Sequence, residues 1–159
     1  MAESKQYPFI LYLEAHIKDR AMLAALRRGL GQPPGSAPDM FPYVVPFVLQ
    51  WNESDLYLVA SLFGLHPSLS TTGNIGTHIK DFSRAKHFKR VDDDEATKRR
   101  FIQLLRYNRD ALDTPFRQQI SLLKSQNVAV NWHQLLYDLH YWDHADRFVQ
   151  RQWAFAFWN

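Results

Sequence analysis

The chain has 159 residues, of which 46% are apolar and 22% are charged, with a net charge of +3 and no cysteine. These proportions are typical of a globular protein, and the length suits a single domain with its own core. No run approaches the roughly 20 apolar residues that span a bilayer. The absence of cysteine excludes disulfides, thiolate metal sites and a cysteine nucleophile. The first 20 residues lack the cleavage site of a secretory leader, so we expect a soluble, cytoplasmic protein without membrane association.

Apolar residues recur at helical spacing through the first half of the chain, and proline and glycine interrupt them. No sustained alternation of apolar and polar residues indicates a strand. The predicted elements are, in order, helices over 9–17 and 22–30, a loop over 31–42, a short buried helix from Pro42, a helix from its N-cap Ser54 to Gly64, a loop over 68–74 and a helix from Ile75 onward.

The second half of the chain has a more regular helical pattern. Four helices are predicted, over 92–108, 111–125, 131–142 and 145–158, and their short connections favour antiparallel neighbours. We therefore expect an all-α protein of about eight or nine helices with a C-terminal four-helix arrangement. The predicted division is an N-terminal helical subdomain over 1–91 and a C-terminal helical bundle with a basic face over 92–159.

Positive charge is concentrated toward the C-terminal side. Residues 1–80 contain six Lys and Arg against six Asp and Glu, whereas residues 81–159 contain thirteen against ten. Four of those ten acids cluster at 92–95, where carboxylates would oppose the positive end of a helix dipole. The rest of this surface should be locally basic, which makes a polyanionic partner plausible.

Helical projection predicts cation pairs on the outward or marginal faces of three helices, spaced seven or four residues apart. The pairs are Arg99 with Arg106, Arg117 with Lys124, and Arg147 with Arg151. Such pairs are also common on ordinary solvated helices. We expect a shortage of acids four residues away from these arginines, whereas a purely solubilising face usually mixes charges of both signs. The planar guanidinium is well suited to phosphate.

Two further features leave alternatives open. The segment 84–90, RAKHFKR, supplies Lys86 and Lys89 as a second basic cluster, or it is a solvated helix end whose cations favour the negative pole of the dipole. The five tryptophans could stack unpaired bases. At helical spacing beside leucines, they are more typical of a core.

No pattern indicates catalysis or a cofactor. His140 and His144 are four residues apart, but a predicted helix end lies between them, and the adjacent acids at 92–95 point in different directions on a helix. The GQPPG stretch at 31–35 lacks the Lys and Ser/Thr of a phosphate-binding loop. We expect no metal site, no cofactor and no enzymatic activity.

Four segments together carry a resemblance to a known family. They are 23–47 (LAALRRGLGQPPGSAPDMFPYVVPF), 74–82 (NIGTHIKDF), 98–125 (KRRFIQLLRYNRDALDTPFRQQISLLKS) and 131–158 (NWHQLLYDLHYWDHADRFVQRQWAFAFW). In this order, from about residue 20 onward, the chain resembles the CasB family, the small subunit of the type I-E CRISPR surveillance complex Cascade.

The resemblance implies an all-helical, non-enzymatic protein of two helical subdomains. It implies partners as well: the backbone and large subunits of Cascade, a second copy of the chain arranged head to tail, and guide RNA with the target and displaced DNA strands. The family's basic face is expected to hold those strands once the guide has opened the duplex.

Family positions that match this sequence add candidate contacts. Arg27 and Arg28 match a basic pair on an early helix, Arg106 and Arg109 match a Leu-x-Arg-x-x-Arg-Asp stretch, and Arg117 and Arg147 match single basic positions. The family often has a second arginine where Gln118 stands in this chain.

Two hypotheses of different classes follow. In the first, a diffuse arginine surface grips nucleic-acid backbone within a larger complex, and no base-reading motif is required. In the second, the chain is a helical protein–protein interaction module whose charged faces only solubilise it.

Overall fold

The computed structural model describes residues 6–159, which form nine α-helices and four short 3-10 turns and contain no strand. The predicted all-α class and helix number are confirmed. Residues 1–5, part of the stretch searched for a leader, lie outside the described residues. The helices are α1 Pro8–Ala15, α2 Arg20–Arg27, α3 Phe41–Val44, α4 Glu53–Leu65, α5 Ile75–Ala85, α6 Glu95–Arg106, α7 Asp113–Ser125, α8 Trp132–His140 and α9 Phe148–Trp158.

The helices belong to two compact units, and the chain passes between them three times. Unit 1 contains the chain up to Leu69 together with Trp132–His140, and unit 2 contains Ser70–Asn131 together with Tyr141–Asn159. The boundary predicted after residue 91 therefore falls inside unit 2. That boundary followed a shift in charge along the sequence, whereas the units follow the packing of helices that are distant in sequence.

Unit 1 is built around α4, which is apolar on nearly every side. Ten of its thirteen residues are buried, as expected for a central helix. Gly64 allows α2 to approach closely, because a Cβ atom at that position would lie 2.9 Å from the Cβ of Leu26. From α8, Trp132 packs edge-on against Phe63 of α4, with ring centroids 5.6 Å apart.

Unit 2 contains four helices, α5, α6, α7 and α9, whose aromatic side chains share one core. Trp153 of α9 lies 6.0 Å from Phe116 of α7 and 4.9 Å from Trp142, measured between ring centroids. Phe157 of α9 lies 4.5 Å from Phe101 of α6. The expected four-helix arrangement therefore contains α5 in place of α8, since the apolar side of α8 packs against α4 in unit 1.

The closest approach in unit 2 joins α5 to α9 at a glycine. A Cβ atom on Gly76 would lie only 2.0 Å from the carbonyl oxygen of Trp153. No side chain fits in that space, because real Cβ contacts are essentially never shorter than 3.0 Å. The absence of a side chain at residue 76 thus sets the distance between the two helices.

Two local predictions were wrong in detail. The N-cap of α4 is Asn52 and not Ser54, and its side chain accepts a hydrogen bond of 2.6 Å from the N–H of Leu49 in the preceding turn. The short helix near Pro42 is mostly not buried, because Phe41, Val45 and Leu49 are exposed. Its prolines restrict it to one α-helical turn between two 3-10 turns.

Buried His78 links α5 to the segment that precedes α8. Its Nε2 atom accepts a hydrogen bond of 3.0 Å from the backbone N–H of Asn131. Burial disfavours the charged imidazolium and lowers the pKa of His78 to about 4. Since the unfolded chain protonates this histidine near pH 6.5, its stabilising effect is fully present above that pH and decreases as pH falls toward 4.

Gly76→Ala should destabilise the protein by about 2–3 kcal/mol, because the added methyl group forces α9 away from α5. Urea denaturation followed by circular dichroism measures the change. Asp81→Ala, at an exposed position of the same helix, serves as the control for helix propensity. A Gly76→Ala variant as stable as the native chain would contradict the close approach, since alanine alone favours a helix by about 1 kcal/mol.

Lowering the pH from 7.5 to 5 should reduce the free energy of unfolding by about 2 kcal/mol through His78 alone, because only the unfolded state takes up the proton. His78→Gln retains a side-chain acceptor and removes the titrating group. The pH dependence of this variant, measured by urea denaturation at both pH values, should be weaker by that amount. Identical pH dependence in the two proteins would show that His78 is not buried in its neutral form.

Candidate nucleic-acid interface

Positive charge is segregated between the two units. Unit 2 contains fourteen Lys and Arg against nine Asp and Glu, which gives a net charge of +5. Unit 1 contains five against seven, which gives −2. The charge of unit 2, which carries most of the candidate residues, is therefore larger than the overall charge of +3. The long-range attraction of a polyanion would be directed to unit 2.

A row of side chains along the exposed face of α6 forms a shallow groove. We call Arg99, Ile102, Gln103 and Arg106 the α6 strip; Glu95 and Lys98 line the same groove at its N-terminal end. The two arginines are seven residues apart, so their Cα atoms are separated by about 10 Å along the helix axis. The predicted outward projection of this pair is confirmed by their exposure.

The two arginines of the α6 strip differ from the neighbouring lysine in what they contact. The ammonium of Lys98 lies 3.1 Å from Glu95 and 3.1 Å from the carbonyl oxygen of Asp92, so its charge is partly satisfied. Neither Arg99 nor Arg106 makes a side-chain hydrogen bond or an ion pair within residues 6–159. Their guanidinium groups are therefore available to an external anion.

Arg147 extends the basic surface beyond the end of α6. Its guanidinium donates a hydrogen bond to the carbonyl oxygen of Leu105, the residue before Arg106. This position favours a cation, because the carbonyl groups at the C-terminal end of a helix carry partial negative charge. Arg147 has a left-handed backbone with φ of 57° and precedes α9 directly. The structure therefore brings the guanidinium of Arg147 to the end of the helix that carries Arg106, which the sequence alone could not show.

Arg109 lies close in sequence to Arg106 but serves a structural role. Its side chain is only 16% exposed and donates a hydrogen bond of 2.7 Å to Asp113, four residues along. Its backbone N–H donates to a carboxylate oxygen of Asp143 at 2.9 Å. The expected shortage of acids is wrong in the sequence itself, because Arg99, Arg106, Arg117 and Arg147 each have an acid four residues away, namely Glu95, Asp110, Asp113 and Asp143. None of these four arginines forms an ion pair with its acid in the described residues, whereas Arg109 does so with Asp113. The charge of Arg109 is committed to holding the start of α7.

Helices α7 and α9 supply the remaining predicted cations of unit 2. Arg117, Lys124 and Arg151 are exposed. None of the three makes a hydrogen bond or ion pair through its side chain in the described part of the chain. Each adds an accessible positive charge to its own helix.

In the basic segment 84–90, only part of the predicted cluster faces solvent. The ammonium of Lys86 lies 3.0 Å from the buried carboxylate of Asp94 and 3.0 Å from the hydroxyl of Thr97. It also lies 4.6 Å from the centre of the Phe82 ring. The charge of Lys86 is therefore largely committed to the buried Asp94, whereas Lys89 is exposed.

Asp94 explains why the acids precede α6. Its carboxylate accepts the backbone N–H of Thr97 at 3.3 Å and so caps the helix, which confirms the predicted role of this acidic run. Burial alone would raise its pKa, but hydrogen bonds from Lys86 and Thr97 outweigh burial and leave the pKa of Asp94 below its usual value. The ion pair of Lys86 with the buried Asp94 thus anchors the start of α6.

The two early arginines lie in unit 1 and have internal partners. Arg27 ends α2 and donates to the carbonyl oxygen of Gly64 at 3.3 Å. Arg28 forms an ion pair of 3.0 Å with Asp39, and both side chains remain more than half exposed. An exposed ion pair of this kind contributes little to stability and can exchange partners.

Two exposed arginines of unit 2 are not among the nucleic-acid contacts predicted from the sequence. Arg84 and Arg100 have no hydrogen-bond or ion-pair partner among the residues that the structure describes. Arg84 belongs to the same basic segment as Lys86. Helical spacing alone does not show which cation of a segment pairs with an internal acid. The sequence therefore could not show that Lys86 pairs with Asp94 while Arg84 stays accessible.

The residues considered for other chemistry have ordinary roles. Within the described chain, no group of three or more His, Asp or Glu is arranged to hold a metal ion. The ring of His140 lies 4.5 Å from that of Trp51 in unit 1 and is tilted by 54° from it, and His144 contacts Asp146 in unit 2. Trp132, Trp142 and Trp153 are fully buried. No helix in residues 6–159 combines the length and apolar character required to cross a bilayer.

Comparison with known proteins assigns the chain to a family. The family model described as CRISPR-associated protein Cse2 matches residues 22–158. The chain belongs to the Cse2 family. A Cse2 protein of Thermus thermophilus is 32% identical over 139 residues, which cover 84% of this chain and 76% of the relative.

Solved structures agree with this assignment. The crystal structure of a Cse2-family protein from Thermus thermophilus matches with a TM-score of 0.77 and 26% identity, covering 96% of this chain and 98% of that one. One chain of a structure described as a CRISPR RNA-guided surveillance complex, pre-nicking, matches with a TM-score of 0.78 and 25% identity, covering 94% and 90%. A crystal structure of CasB from Thermus thermophilus matches with a TM-score of 0.76 and 26% identity, covering 96% and 98%, and the resemblance to the CasB family inferred from the sequence is thereby confirmed.

The contrast between Arg106 and Arg109 can be measured. Arg109→Ala should lower the free energy of unfolding by about 1.5 kcal/mol, because it removes a charged hydrogen bond in a largely buried setting. Arg106→Ala should change it by less than about 0.5 kcal/mol, as expected for an exposed side chain. Urea denaturation of the two variants provides the test. Equal stabilities would show that Arg109 does not hold α7.

Proposed function

We propose that this Cse2-family chain is a non-enzymatic small subunit of an RNA-guided CRISPR surveillance complex. In that complex, the basic surface of unit 2 binds nucleic-acid backbone and stabilises the target and displaced DNA strands of the R-loop. Its protein partners are the backbone and large subunits of the complex and a second copy of the chain. Guide RNA is the nucleic acid on which the complex is assembled.

Membership of such a complex is supported by the solved relatives. A chain that matches over 94% of this protein comes from a CRISPR RNA-guided surveillance complex, and the match covers 90% of that chain. Since the similarity extends over both units, we infer that this chain occupies the equivalent position in a complex of its own.

The observation that carries the nucleic-acid role is the set of accessible arginines in unit 2. Arg99 and Arg106 of the α6 strip are exposed, and Arg147 lies beside Arg106 at the helix end. Guanidinium groups bind phosphate oxygens through paired hydrogen bonds. These contacts depend on the charge and spacing of the phosphates and not on the base sequence. Unit 2 also carries a net charge of +5, which favours an anionic partner.

Weak contacts to the sugar-phosphate backbone of the strands are sufficient for this role. Replacing a DNA duplex by an RNA–DNA heteroduplex is a nearly balanced exchange, so a few contacts to strand backbones can shift the equilibrium toward the open R-loop. Each phosphate contact also releases counterions, which makes binding strongly dependent on salt and nearly independent of sequence. A non-catalytic subunit with a diffuse basic surface fits these requirements.

The double variant Arg99→Ala/Arg106→Ala should weaken binding of the full chain to labelled single-stranded DNA about tenfold at 50 mM salt, because two phosphate contacts are lost. The slope of log affinity against log salt between 50 and 200 mM should become shallower by about 1.4, or 0.7 for each contact. Fluorescence anisotropy measures both quantities, and circular dichroism should remain unchanged.

Lys18→Ala/Arg20→Ala is the matched control, because it removes the same charge from exposed positions of unit 1. This control should leave the salt slope unaltered. Equal effects of the two double variants would show that only net charge matters. Undetectable binding of DNA by the native chain and by its assembled complex would favour a protein–protein interaction module.

A further inference from the structure

We infer that the exposed face of α9 is a stacking platform for unpaired nucleic-acid bases. This inference rests on the function proposed above and specifies it further, since it assigns unit 2 a contact with bases in addition to phosphates. The platform consists of Arg151, Phe155 and Trp158, spaced four and three residues apart on one side of the helix. The buried residues Val149, Trp153 and Phe157 occupy the opposite side.

The two aromatic rings are unusually accessible. Phe155 is 69% exposed and Trp158 is 39% exposed, whereas three of the other four tryptophans are fully buried. Phe155 makes no ring contact within residues 6–159. An exposed phenylalanine on a helix that already buries three other apolar side chains contributes little to the core. Its open face is instead suited to a planar partner.

The platform is held on a fixed backbone. The indole N–H of Trp158 donates to a carboxylate oxygen of Asp92 at 3.1 Å, and its ring lies 5.6 Å from that of Phe101 and 4.7 Å from that of Phe157. The ammonium of Lys80 in α5 donates to the carbonyl oxygen of Asn159, next to Trp158. Since the Trp158 ring is already ordered, less conformational freedom is lost when a base stacks on it.

The charge around the platform favours a nucleic acid over an apolar protein surface. Arg151 has no side-chain partner in the described chain and lies one helical turn before Phe155, where it can meet the phosphate of a stacked nucleotide. The negative charge of Asp92 is offset by the indole N–H and by Arg90, whose guanidinium lies 3.9 Å away. A cation beside aromatic rings, in a unit of charge +5, complements the bases and phosphates of one strand.

This chemistry selects single strands. In a duplex, each base is stacked between its neighbours and shows only its edges in the grooves. An unpaired strand can place a base against Phe155 or Trp158 while its phosphates meet Arg151. The occupant is therefore single-stranded DNA, the form of the displaced strand in the proposed function, and it is bound without sequence preference because every base has a π-face.

The test measures the affinity of the full chain for two labelled strands of equal length and charge, a 20-mer of thymidine and an abasic 20-mer. Fluorescence anisotropy gives both affinities. The native chain should bind the thymidine strand about tenfold more tightly than the abasic strand, because only the former can stack. Phe155→Ala should abolish most of this difference and leave affinity for the abasic strand unchanged. Phe155→Tyr should retain the difference and Phe155→Leu should lose it, which separates stacking from general apolar contact.

Leu49→Ala is the matched control, since Leu49 is 53% exposed in unit 1. It should leave both affinities unchanged. Equal affinity of the native chain for the two strands would overturn the stacking platform and leave the phosphate-binding function intact. No affinity for either strand would overturn both. If Phe155→Ala left oligonucleotide binding unaltered but prevented assembly with the other subunits, α9 would be a protein-docking face and the inference would be wrong.

Discussion

The contact between α5 and α9 at Gly76 is the constraint on which unit 2 depends. Because residue 76 has no side chain, the backbone of α9 can approach α5 until the Trp153 carbonyl fills that space. Trp153 then reaches Phe116 of α7 and Trp142, while Phe157 reaches Phe101 of α6. One core thus positions three helices whose outer faces carry cations. A small change in this spacing would move the positive charges relative to one another without removing any of them.

Similar basic residues take different roles according to the acids that folding places near them. Arg109 is held by Asp113, and Lys86 is held by Asp94, whereas Arg99 and Arg106 remain accessible. Helical periodicity predicted correctly that Arg99 and Arg106 project outward, because exposure follows from position on the helix. It could not predict the contact of Arg147 with Leu105 or the ion pair of Lys86 with Asp94. Those depend on chain segments that meet only in the folded protein.

The fold was predictable to the extent that local signals decided it. The helical spacing of Ile75, Ile79 and Phe82 and the acids before α6 located α5 and α6 correctly, because amphipathic faces and helix caps are local features. The region 41–51 was less predictable, since prolines divide it into short turns and leave apolar side chains exposed. The membership of α8 in unit 1 was not predictable, because only its packing against α4 determines that membership.

The return of α8 to unit 1 has a consequence for biosynthesis. Domains usually fold as the ribosome releases them, beginning with the N-terminal one. Here Trp132, which packs against Phe63 of the early helix α4, is synthesised only after α5, α6 and α7. The nascent chain must therefore keep the apolar side of α4 partly uncovered while most of unit 2 emerges. A chaperone that recognises exposed apolar segments would find such a segment in α4 during this interval.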